Sequence, residues 1–149
     1  MQKFNGQTGV TLIELLLVIT IISIIGLMST SFYSRFLTQN AVGNTRDQLV
    51  GSFRKAQIYS MMGKQNNTWG VKYDSVAKKI TLYLTGASAF NENYTVNNNI
   101  TITGFTDISF ARVTGTPSTT PSTVTITIYS GNNTKTISIN SQGVVNKTN

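Results

Sequence analysis

The sequence predicts an α+β protein. One long amino-terminal helix, membrane-spanning in its first half, packs on an antiparallel β-sheet domain of about six to seven strands. Three observations lead there. Val10 to Met28 is a run of nineteen residues whose only charge is Glu14. Beyond it, apolar residues recur at helical spacing as far as Met62, and from Trp69 onward the period changes to two. Charged residues make up only 11% of the chain, and the surplus of Thr, Asn, Ser and Gly favours strand and turn.

The 149 residues leave room for a small domain plus an anchoring segment. The expected organisation is a leader over 1–9, a transmembrane helix over 10–30, its amphipathic continuation over 31–63 and a carboxyl-terminal antiparallel β domain over 64–149. The leader is polar with one positive charge, Lys3. An ordinary secretory signal places its small-residue cleavage site beyond the apolar run. Here the small residue, Gly9, comes before it. The run itself suits a bilayer, which needs about 20 apolar residues in a helix.

In the continuation, Phe32 and Phe36 lie four apart and Val42, Leu49 and Ala56 seven apart. With Phe53 and Met62 they predict one apolar stripe, and Arg35, Arg46, Asp47, Arg54, Lys55 and Lys64 fall largely off it. No proline precedes residue 117, and Gly63 followed by Asn66 and Asn67 is a stop signal. A continuous helix over 10–62 follows, roughly 80 Å long at 1.5 Å per residue.

Strands are expected at 69–73, 79–84, 100–103, 107–112, 124–129, 135–139 and 144–145. Val124 to Ile128 and Thr136 to Ile139 alternate cleanly, with Ser130-Gly131-Asn132-Asn133 as the hairpin turn between them. Asp74 to Lys78 joins the first pair in the same way. The Asn-rich stretch 87–99 and the Ser/Thr/Pro stretch 114–123 read as loops.

The absence of cysteine and histidine removes disulfides, thiolate and imidazole metal sites and the commonest general base. No cofactor, no metal and no catalytic residue are expected, and the chain is read as not an enzyme. The acids beyond the helix, Asp74, Glu92 and Asp107, form no pair close in sequence. Net charge is +7, from 12 basic and 5 acidic residues scattered along the chain, which describes a solvated surface. Arg112, Lys135 and Lys147 are the candidate contacts should the partner be DNA, since phosphates are met by Lys and Arg.

Glu14 needs a partner, because a carboxylate within a membrane helix costs a few kcal/mol or more. A cut after Gly9 would supply one: a charged amine on Val10, four residues away. A carboxylate in the first turn also suits the positive end of the helix dipole.

Gly9-Val10-Thr11-Leu12-Ile13-Glu14, followed by Leu15-Leu16-Leu17-Val18-Ile19, resembles the signal of type IV pilins and type II secretion pseudopilins. The stretches Asp47 to Gln57, Trp69 to Asp74 and Thr136 to Val145 are similar to GspH/FimT-type minor pseudopilins. The resemblance implies the pilin fold, cleavage after Gly9 by a prepilin peptidase and N-methylation of Val10 by the same enzyme. It implies that Glu14 guides assembly with other pilin or pseudopilin subunits at an inner-membrane platform. The chain would then sit in the bacterial cytoplasmic membrane in a single pass, with its carboxyl-terminal domain outside. From there it would enter a type IV pilus or a type II secretion pseudopilus. Val10 stands where the family usually has Phe. The two cysteines and the helix proline of many major pilins are absent, which leans towards a minor subunit. The alternative is a DNA-binding minor pilin of a DNA-uptake pilus.

Overall fold

The computed structural model describes residues 9–119 and 123–148. The expected leader, up to residue 8, and residues 120–122 of the second expected loop lie outside that range. The chain forms α1 (Leu12–Met61), a short 3-10 turn (Lys64–Asn66) and eight strands: β1 (Trp69–Asp74), β2 (Lys79–Leu84), β3 (Ala87–Thr95), β4 (Thr101–Thr103), β5 (Asp107–Phe110), β6 (Thr123–Ser130), β7 (Asn133–Asn140) and β8 (Val145–Thr148). Two compact units divide between Leu37 and Thr38.

Within the second unit the helix supplies one apolar stripe. Val42, Leu49, Val50, Phe53 and Ala56 are buried, all but Val42 and Val50 to 0% exposure. The charged residues between them stay at or near the surface, as a 3.6-residue period requires. Two of the aromatic residues assigned to the stripe by spacing, Phe32 and Phe36, are instead exposed at 72% and 60%, and so is Met62 at 76%. Phe32 and Phe36 belong to the first unit, so the spacing is right but the globular core begins later. Met62 falls past the last helical turn.

The strands make two antiparallel four-stranded sheets, ordered β3-β2-β1-β5 and β4-β6-β7-β8. Val71, Ile80, Leu82, Ile108 and Phe110 from the first sheet share one core with Ile126, Ile128, Ile137 and Ile139 from the second. Phe53 stands at its centre, edge-on to Phe105 at 5.3 Å and to Phe110 at 6.4 Å. In β6 and β7 the buried isoleucines alternate with less buried polar residues, so the period of two in the sequence becomes burial on one face, whereas β1 and β2 each bury three consecutive residues, 69–71 and 80–82.

One segment departs from expectation. Residues 87–95, read as loop, form β3, an edge strand paired antiparallel to β2 with a register shift between Leu82 and Leu84. An edge strand bonds on one side only and buries little, so Asn-rich sequence suffices there and leaves no alternating apolar signature. At the other end β5 stops at Phe110 rather than at Arg112. Ala111 donates to the Thr116 carbonyl at 2.8 Å, and Phe110 bridges to Pro117, which closes a tight loop.

Polar contacts end the helix and fasten it to the sheets and their loops. Gly63 takes φ 61°, the left-handed conformation that ends a helix, and its N–H meets the Ser60 carbonyl at 3.0 Å. The buried Ser60 hydroxyl accepts the Trp69 backbone N–H at 2.8 Å, joining the last turn to β1. The Gln57 side-chain amide donates to the carbonyls of Gly115 (3.1 Å) and Gln142 (3.2 Å), tying two loops to one helical position. On the flank, Lys55 Nζ lies 2.6 Å from both Glu92 oxygens on β3, and the Tyr94 hydroxyl donates to Glu92 Oε2 at 2.8 Å.

Two outcomes follow for the full chain in detergent. Phe53→Ala removes the ring at the centre of the core and should lower unfolding free energy by about 3–5 kcal/mol in urea titrations. A loss below 1 kcal/mol would mean that the core does not close around this residue. The second concerns acid. The bonds from Lys55 and Tyr94 hold the Glu92 carboxyl below its ordinary value of 4.5. Its contribution is therefore present above pH 4.5 and is lost as pH falls through the depressed value. Both partners are more than a third exposed, so the effect is small. Glu92→Gln should flatten the acid limb of stability against pH, and an unchanged limb would show that the pair contributes nothing.

Candidate functional site

The amino end of α1 is assembled from few parts. The Thr11 carbonyl accepts the first helical bond, from the Leu15 N–H at 3.1 Å, and the Thr11 hydroxyl oxygen accepts the Glu14 N–H at 3.3 Å. Thr11 is thus the N-cap, and Thr11-Leu12-Ile13-Glu14 has the sequence of a capping box. Glu14 falls in the first helical turn, where backbone N–H groups present partial positive charge. Among the described residues no ion pair or side-chain hydrogen bond reaches the Glu14 carboxylate. Gly9 and Val10 precede the helix, and both are exposed. Sequence pattern had singled out Gly9, Val10 and Glu14 as expected site residues, but not Thr11. The signal was there in the Thr-x-x-Glu pattern directly before an apolar run.

Behind this cap the helix is apolar on every side. Leu12, Ile13, Leu15, Leu16, Leu17, Val18 and Ile19 are each 47–81% exposed, and so are Ile21, Ile22, Ile24, Ile25 and Leu27. None of the most apolar window is buried against protein, and by length and composition the helix can cross a membrane. Its two hydroxyls in this stretch are satisfied locally. Thr20 donates to the carbonyls of Leu16 (3.0 Å) and Leu17 (2.8 Å), and Ser23 donates to Ile19 at 2.7 Å. Back-bonding of this kind lets a hydroxyl sit in hydrocarbon at little cost. A helix that exposes leucine and isoleucine all round must be covered by lipid or by other helices.

The candidate DNA contacts do not converge. The Arg112 guanidinium donates to the Asn66 side chain at 2.6 Å, beyond the end of α1. Lys147 pairs with Asp47 at 2.9 Å, fourteen residues before Met61 and so about 20 Å lower along the helix. Lys135 sits on β7, opposite Ile128. The acids are also apart. Asp74 accepts the N–H groups of Val76 and Ala77 in its turn, Glu92 faces Lys55, and Asp107 accepts the Tyr83 hydroxyl at 2.7 Å. Among the described residues no three potential metal ligands gather.

Residues 4–30 match the prokaryotic N-terminal methylation motif. No curated protein matches the chain. Two solved structures are similar in fold. The type IV minor pilin FimU of Pseudomonas aeruginosa has a TM-score of 0.56 at 15% identity, covering 74% of this chain and 92% of its own. The minor pseudopilin EpsH from the type 2 secretion system of Vibrio cholerae has a TM-score of 0.52 at 7% identity, covering 72% and 95%.

The all-round apolar surface makes insertion sensitive to charge. Ile21→Arg places a guanidinium well inside the span and should raise the apparent insertion free energy by about 2.5–3.5 kcal/mol. A translocon insertion assay on the full chain reads this directly. An unaffected inserted fraction would place the span elsewhere.

Proposed function

We propose that this chain, which joins a prokaryotic N-terminal methylation motif to the fold of type IV pilins and pseudopilins, works as a minor subunit of a type IV pilus or type II secretion pseudopilus. At the coarser level it is a pilin-type structural subunit anchored by its apolar helix. The carrying observation is the amino end itself: Glu14, without a side-chain partner among the described residues, in the first turn of an exposed apolar helix, four residues beyond Val10. Minor-subunit status is supported by the two similar structures, a minor pilin and a minor pseudopilin.

In this reading a prepilin peptidase cuts after Gly9 and methylates the amine left on Val10. The precursor lies in the cytoplasmic membrane with its β domain outside the cytoplasm. An assembly platform then draws the subunit from the bilayer into a filament. The helices, no longer covered by lipid, bury against those of neighbouring subunits. Glu14 would carry its charge into that apolar packing, and the ammonium of a neighbouring Val10 would neutralise it. Attraction between the two charges strengthens as water is excluded, so the pair favours one register of docking over others. A secreted-substrate or DNA-capturing role needs more than this, and neither the geometry of Arg112, Lys135 and Lys147 nor the relatives support DNA capture.

Mass spectrometry of the chain from its own cells should find N-methyl-Val10 as the mature amino terminus. Any other first residue would end this reading. Glu14→Gln should leave cleavage intact but lower the amount of subunit in sheared filaments about tenfold, the loss of a contact worth about 1.4 kcal/mol. Incorporation at the normal level would remove Glu14 from assembly.

A further inference from the structure

The cut between Gly9 and Val10 falls two residues before the helix begins. In the structure Gly9, Val10 and Thr11 are non-helical, and Leu12 is the first helical residue. Open space surrounds Gly9, and its carbonyl accepts no backbone bond among the described residues. One side chain sets this boundary. The Thr11 hydroxyl takes the Glu14 N–H, and the Thr11 carbonyl takes the Leu15 N–H.

Resting on the reading that the chain is processed after Gly9, we infer that Thr11 is a positioning residue for that cut. Its hydroxyl fixes where the helix starts and so keeps the Gly9–Val10 bond extended and open to a peptidase. Hydrolysis adds water across this bond: Gly9 keeps a carboxylate, and Val10 leaves with the nitrogen as an amine. The attacked atom is the Gly9 carbonyl carbon. In a helix the Gly9 oxygen would accept the Ile13 N–H, and the turn would enclose the carbonyl on the side from which a nucleophile must approach. The first N–H groups of any helix lack partners, and a start without a capping side chain is costly, most of all beside hydrocarbon. If the Thr11 oxygen is removed, the nearest upstream side chain that can supply a capping oxygen is Thr8. A helix capped there would place Gly9 and Val10 in its first turn and close off the scissile bond. The same cap serves the product, because it leaves the new Val10 amine outside the helix and free to reach a carboxylate.

The test uses the full-length chain in membranes with a prepilin peptidase, comparing Thr11→Val, which keeps the branched shape without the oxygen, with Thr11→Ser, which keeps the cap. Thr11→Ser should be cut like the unchanged chain, and Thr11→Val about fivefold more slowly, the factor that an ordinary N-cap carries. In detergent micelles the 13Cα shifts of Gly9 and Val10 should turn helical in Thr11→Val only. Normal cutting of Thr11→Val overturns the inference. Slow cutting with unmoved shifts also overturns it, since the peptidase would then be reading the hydroxyl itself. If the unchanged chain is not cut after Gly9, the processing reading fails first and takes this inference with it.

Discussion

A single helix must satisfy two different solvents, and the remaining features of the molecule follow from how it does so. Over its first part the described large apolar side chains lie on every face and are exposed. Over its last part the apolar residues narrow to one stripe, because two sheets cover that stripe and water covers the rest. Backbone hydrogen bonds are satisfied internally throughout, which is what allows one element to pass from hydrocarbon to water. The ends are where unpaired groups remain. One end is closed by Thr11 and the other by Gly63, with a hydroxyl at the first and a left-handed turn at the second.

The helix also completes the core of the β domain. With Phe53, Leu49 and Ala56 fully buried, the helix supplies much of the apolar surface that each sheet needs. The sheets are joined through it rather than through disulfides. Polar side chains then fix the details. Ser60 holds Trp69, Gln57 holds two loops, and Lys55 holds the edge strand that carries Glu92. Each contributes little energy alone, but each selects one arrangement among several that the core would tolerate.

At the amino end the same logic leaves the Glu14 charge with no partner among the described residues. Glu14 lies where the helix dipole favours it and where hydrocarbon does not. Under the proposed function, a cation brought to Glu14 would resolve that opposition. In the proposed function, a processing cut that creates an amine four residues away would couple maturation to assembly through one electrostatic pair.

Local pattern alone determined a good deal of this. The apolar run, its single acid, the helix stop at Gly63 and the β6–β7 hairpin were all legible, because each is written in residues close together along the chain. The Asp74 turn was legible for the same reason, its carboxylate bonding two N–H groups just beyond it. Tertiary structure alone decided which part of the stripe is buried, leaving Phe32 and Phe36 exposed where spacing had placed them with the core. It made residues 87–95 an edge strand, divided eight strands between two sheets and held Arg112, Lys135 and Lys147 at separate places. Those outcomes depend on pairing and burial between residues far apart in sequence. A period along the chain records which face a side chain takes, but not what will be there to cover it.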